Sequence, residues 1–334
     1  MERFDDLYVL KSTDDNTDRT ADIERELCER GVCVLGHGVF CVSGIEMPDN
    51  SSLIGLGEGS VLLLDESVND GFAVKMGWRT SIKNFVLIGK KEHIINRPSE
   101  IGKRHGILFS GNATLKDWSG QVQDCIINSC QIRSFSGGGI TCIDTGYSTS
   151  SCLVASDCHI TGCGVGINIS RYSEYHKFTN MHCVENNYGC INNGGNNVFC
   201  ACGFDANTVG FMIDNSEQKS PNNSHGSAVG CTFNHSDYNK GIGIHIIEAD
   251  SGFVFSGCQV FHSKIMLENS SGIQLCNLNC GRCVEFYVKG GKMTVLSDSL
   301  FSVMPTVKIE DNPLVRIYNC FTYNGEEVTA EQKI

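Results

Sequence analysis

Four loops gather the side chains that have chemistry to offer: IDTGYSTSS (143–151), ISRYSEYHK (169–177), IDNSEQKSPNNSHGS (213–227) and IIEADSG (246–252). Each follows a short apolar run. If those runs are stacked strands, residues leaving the same strand end lie side by side. Asp144, Arg171, Asp214 and Glu248 then line one wall, with His176 close by. Carboxylates so placed are acid/base or metal-holding candidates, and Arg171 or His176 would remove a proton or clamp a substrate carboxylate. Tyr147, Tyr172 and Tyr175 suit stacking on sugar rings and hydrogen bonding to hydroxyls. Loop 213–227 is the longest insertion between core segments, where binding residues tend to collect, and it adds Lys219 and His225 as substrate contacts. The same residues also fit a solvated rim on which charged side chains simply end strands. Both readings stand on the sequence.

A repeat must position these loops. Apolar segments containing Cys recur along the chain as CIINSCQI (125–132), CLVASDCHI (152–160), FTNMHCV (178–184), NVFCACGF (197–204), SAVGCTF (227–233) and FVFSGCQV (253–260). The anchoring residues Cys130, Cys158, Cys183, Cys202, Cys231 and Cys258 are spaced by 28, 25, 19, 29 and 27 residues. The register continues through Leu278, a position near Asp298–Ser299, and Cys320. After a Gly-containing turn, each first segment is followed by a second, such as GITCID (139–144), GINIS (166–170), GFMID (210–214) or KIMLE (264–268). These alternate apolar with polar residues, the period of a half-buried strand. Two or three short strands every 20 to 30 residues, with no helical pattern between them, predict an all-β solenoid of about ten coils. Residues 20–30, TADIERELCER, differ: Ile23 and Leu27 lie four apart among charges, and Gly31 follows as a stop. This amphipathic helix would cover the first coil. The expected division is a cap over 1–50, the solenoid over 51–325 and a tail over 326–334.

Composition narrows the partners. The chain has 334 residues, a net charge of −12 and no basic cluster longer than Lys90-Lys91, which argues against nucleic acid and anionic membranes. No stretch approaches the 18 apolar residues of a membrane helix, and the first residues carry no secretion signal. A cytoplasmic, a phage-associated and a leader-processed secreted protein are all compatible with that. The 19 cysteines are expected to be mostly free, buried and structural. Cys200-x-Cys202 and Cys280-x-x-Cys283 are lone pairs with no second pair at zinc spacing, and the histidines show no ligand spacing, so no metal site is assigned.

The run DNTDRTADIERELCERGVCVLGHGVFCVSG, followed by SSLIGLGEGSVLLLD, resembles the N-terminal cap and first coils of the pectate-lyase-like superfamily. The resemblance extends over about residues 12–325 and implies a right-handed, single-stranded parallel β-helix. It also implies an extended polysaccharide or oligosaccharide in a groove along the outer face. Members include lyases, polygalacturonase-like hydrolases, epimerases and phage tailspikes. Catalysis of their kind uses a carboxylate pair, or acidic residues holding Ca²⁺ beside a proton-abstracting base. Their catalytic strings are missing here. The central coils hold no N-T-D and no adjacent Asp-Asp, the only Asp-Asp pairs, Asp5-Asp6 and Asp14-Asp15, precede the solenoid, and Arg97-Pro98 does not continue as R-x-P-x-x-R. Gly36-His37-Gly38 matches a hydrolase G-H-G but follows the cap, where it reads as a turn. Three functions remain open: a carbohydrate lyase or glycoside hydrolase, a non-catalytic glycan-binding or tailspike-like adhesion module, and a structural solenoid. The oligomeric expectation is a monomer or a homotrimer.

Overall fold

The computed structural model describes residues 8–13, 16–89, 101–111, 121–144, 150–217, 224–235, 241–282, 285–311 and 314–329. Tyr147 and Lys219 lie outside these residues. The chain winds as a right-handed parallel β-helix with three long sheets, here A, B and C, of 13, 12 and 11 strands. Every ladder in the three sheets is parallel, and each coil contributes one strand to each sheet in the order A, B, C. The Cys-containing first segments each split into two strands. In CIINSCQI, Ile126–Asn128 belongs to sheet A and Gln131–Arg133 to sheet B, while the second segments form sheet C. The stack is taller than the cysteine repeat alone suggests, because Ser60 and Phe85 hold the cysteine's place in the coils before residue 90.

Corners make the winding possible. Between sheets A and B one residue per coil turns the chain in the left-handed region, among them Asn84 (φ 63), Asp157 (φ 55), Asn180 (φ 50) and Gly257 (φ 63). Asn, Asp and Gly tolerate this conformation best, so the sequence places them there. The residue after that corner is the anchoring position of the repeat. Register aligns Cys130, Cys158, Met181, Cys202, Cys231, Cys258, Leu278, Ser299 and Cys320. Cys183 therefore does not belong to the column. It stacks two positions later, between Ile160 and Phe204 on sheet B, and Met181 takes its place.

At the entry to sheet C a ladder of buried glycines runs through Gly106, Gly139, Gly166, Gly189, Gly210 and Gly243. A Cβ added to Gly166 would meet Gly189 O at 2.4 Å, and one on Gly189 would meet Gly210 O at 2.5 Å. The backbone packs too closely here for any side chain. Below Gly243 the ladder ends, and the register slips between Ile242 and Ile244 to absorb the residue that later coils lack.

Inward residues of the three sheets form one continuous core. Its centre is aromatic: Phe178 stacks on Phe199 at 5.1 Å, and Phe211 meets Phe199 edge-on at 5.1 Å. Cysteines among the described residues are free thiols, most of them buried. The helix Thr20–Arg30 covers the first coil with Ile23 and Leu27, and Gly31 (φ 70) ends it by donating to Leu27 O at 3.0 Å. Gly36 and His37 link the sheet A strand Val32–Leu35 to the first sheet B strand, Gly38–Val42. Among the described residues, no helix is long and apolar enough to cross a membrane.

Candidate functional site

Sheet C presents polar and apolar residues to the outside at every second position. Its rungs align Thr141, Asn168, Ile191, Met212, His245, Met266 and Tyr287 in one column, and Ser170, Asn193, Asp214, Ile247 and Glu268 in another. Across the central coils this face sinks into a concavity of about 730 Å³. Asn168, Tyr188, Ile191 and Met212 line its floor. Ser170, Arg171, Asn193, Asp214, Asn215 and Glu217 form the wall where the chain leaves the sheet, and Ile101 also borders it.

Of the residues predicted from sequence, Arg171 and Asp214 stand in this wall. The Arg171 guanidinium sits 5.2 Å from the Tyr172 ring centroid, and no carboxylate among the described residues pairs with it. Asp214 instead holds its own turn, accepting from Ser216 N–H at 2.9 Å and Ser216 Oγ at 2.6 Å. Asp144 lies beside Arg171 in register, and its carboxylate accepts the N–H of Ser150, which pairs with Val122 outside the three long sheets, at 2.9 Å. Glu248 stacks with Asn215 one rung below and occupies a left-handed corner (φ 53).

His176 does not stand on the wall. It is fully buried, edge-on to Phe109 at 5.5 Å. Its Nδ1 accepts the Leu153 N–H at 3.2 Å, so Nε2 carries the proton toward Ser173 Oγ at 2.7 Å. Burial pushes its pKa down to about 3, which keeps the ring neutral, and with no exposed surface the ring does not meet a substrate in the concavity. Tyr175, the next residue back, is exposed in a left-handed conformation (φ 62), and Tyr172 shares that conformation (φ 66). For bulky side chains this is a strained choice, held by the seam between sheets C and A.

Two groups escaped the sequence reading. Glu174 lies buried in the seam, pairing in register with Ser151. Burial holds its carboxyl above the usual range and the nearby Asp144 adds to this, while the Asn196 amide and His225 oppose it. His225 thus belongs with Asp144 and Glu174, behind the wall. On the sheet C face itself, His245 Nε2 lies 2.8 Å from Glu268 Oε1, one rung below Met212. The paired outward positions on successive rungs were visible in GIHII and KIMLE once strand register was known.

The Ca²⁺ that a lyase of the resembling superfamily would use finds no fitted donor set. Among the described residues no three His, Cys, Asp or Glu side chains converge to hold a metal ion. Asp214 and Asp144 are each committed to backbone N–H groups.

No family model matches the chain. No curated protein matches it either. Solved structures do. The bacteriophage phi29 gene product 12 superposes with a TM-score of 0.66 at 15% identity over 92% of this chain, which spans 50% of that one. The A-module of the Azotobacter vinelandii mannuronan C-5 epimerase AlgE4 gives 0.63 at 14% identity, covering 95% of this chain and 96% of that one. The catalytic unit of a thermostable alpha-1,3-glucanase from Streptomyces thermodiastaticus gives 0.55 at 11% identity over 90% of this chain and 67% of that one. At such identities the likeness is one of fold, and on that footing the chain is a right-handed parallel β-helix protein.

Proposed function

We propose that the chain is a polysaccharide-active protein that receives an extended, anionic glycan along the outer face of sheet C. The observation that carries this reading is Arg171: a guanidinium with no carboxylate partner among the described residues, in the wall of the concavity, in a protein of net charge −12. A planar guanidinium grips a sugar carboxylate through two parallel hydrogen bonds. Asn168 and Asn193 offer amides to hydroxyls, and Tyr188 an aromatic edge. The epimerase neighbour acts, by its name, on mannuronan, and the glucanase neighbour on an alpha-1,3-glucan. Turnover by lyase or hydrolase chemistry would draw on the His245–Glu268 pair of the sheet C face, as a base held by a carboxylate.

One observation favours a second reading, a glycan-binding module without turnover. Asp144 and Asp214, the expected acids, both brace loops. Incubation with uronic-acid and neutral polysaccharides separates these outcomes. Unsaturated-uronate absorbance reports a lyase, new reducing ends a hydrolase, and binding with neither signal a module. Arg171→Ala is expected to weaken binding of a uronan 10- to 100-fold with melting temperature unchanged. Absence of binding to every glycan in the panel refutes the proposal.

A further inference from the structure

Sheet A carries an outer surface unlike the rest of the molecule. Its two outward columns run from Val32 to Arg316 and from Val34 to Tyr318, and neither contains a single Asp or Glu. The chain as a whole has 38 acidic residues. What fills the columns is mostly β-branched and small, and their charged members, Lys83, Lys177 and Arg316, are all cations. Ile126, Val154, Val198 and Val229 are exposed on it, with Val254 and Val295 further along the first column.

We propose that sheet A is a self-association face, occupied by a second copy of this chain packed sheet against sheet. Two copies with a net charge of −12 each repel one another wherever carboxylates face. The sheet A face, free of carboxylates and with Lys177 as the one charge among its central valines, is one they can share, and depletion of acidic residues is a compositional mark of an interface. Its size is adequate. Twelve rungs at roughly 4.8 Å, about 12 Å wide, give on the order of 600–700 Å² per copy, or about 1,300 Å² for the pair, inside the range of stable interfaces. Stacked sheets sit about 10 Å apart, a distance that Val and Ile side chains fill. Sheet C, on another side of the coil, stays open to solvent in such an assembly.

Sedimentation of the full chain from about 1 to 100 μM tests this. The expected result is a mass above that of one chain, falling toward it on dilution. Val154→Asp and Val198→Asp, each of which puts a carboxylate on the face, should weaken association at least 10-fold, and Val198→Lys should do likewise. Thr306→Glu, exposed on sheet C, should leave association intact. Unchanged far-ultraviolet circular dichroism verifies that the variants are folded. A single-chain mass at every concentration overturns the proposal, and so does an oligomer indifferent to the sheet A substitutions.

Discussion

Sheets A and C are built from the same coils and share one interior, yet their outer faces have opposite chemistry. Inward, both alternate large apolar residues: Ile127, Phe178, Phe199 and Phe255 on A, Ile140, Ile167, Phe211 and Ile265 on C. Outward, sheet A is free of acid, whereas sheet C carries Asp214, Glu268, Glu285 and Glu310 with His245, Lys264 and Lys308 among them. Several of these pair across rungs, as Lys308 does with Glu285 at 2.9 Å and His245 with Glu268 at 2.8 Å. The difference teaches that the solenoid's inward code fixes the fold and leaves the outward positions independent. One face is then open to the proposed glycan and another to the proposed self-contact.

The largest test strikes what the faces share. Phe199→Ala and Phe211→Ala, on sheets A and C, each remove a fully buried ring from one edge-on pair, and each should cost about 3–5 kcal/mol in denaturant unfolding. The double variant should lose less than their sum, because the rings touch. Additive losses would mean that the two walls do not share a core.

Titration of His176 comes next. Its folded pKa, about 3, lies below the 6.5 of an unfolded histidine, so the unfolded chain takes up the proton first. The neutral ring's contribution is complete above pH 6.5 and is lost as pH falls toward 3, at about 1.4 kcal/mol per pH unit. His176→Gln should flatten the pH dependence of the urea midpoint across that window while lowering stability at pH 7. An unchanged slope would assign the acid sensitivity elsewhere. Gly189→Ala should then cost about 1–3 kcal/mol in thermal unfolding, since its Cβ would meet Gly210 O at 2.5 Å on sheet C's entry. Smallest of all, Val154→Asp should change monomer stability by no more than about 0.5 kcal/mol, because the side chain is exposed. A greater loss would mean that sheet A's outer face supports the monomer itself.

The coil was legible because its code is local. Alternation, glycine at the tight entry and Asn or Asp at the corners each reflect backbone geometry over a few residues. Even His176 obeyed that code: counting back by twos from the inward Phe178 lands on it, so its burial was readable, and the polar company of ISRYSEYHK obscured it. Cys183 was misplaced for a related reason, since Met181 fills the same inward slot with a different side chain. The concavity was half legible. Arg171 and Asp214 follow from strand ends, whereas Asn168, Tyr188 and Glu174 owe their places to neighbouring coils some 23 to 27 residues away. Pairing at that distance depends on how many residues each loop inserts, which no local pattern states.

The column of thiols has a consequence for watching the molecule come apart. Burial pushes Cys33 and Cys163 up to about 12, a hydrogen bond with Cys202 does the same for Cys231, and such buried thiols stay silent toward alkylating reagents while their coil is closed. Cys28 and Cys200 are exposed and should react at once. Because a solenoid frays from its ends by nearest-neighbour steps, timed alkylation followed by peptide mass mapping should register the opening of individual coils in sequence. The chain thus carries its own set of clocks, spaced along most of its length.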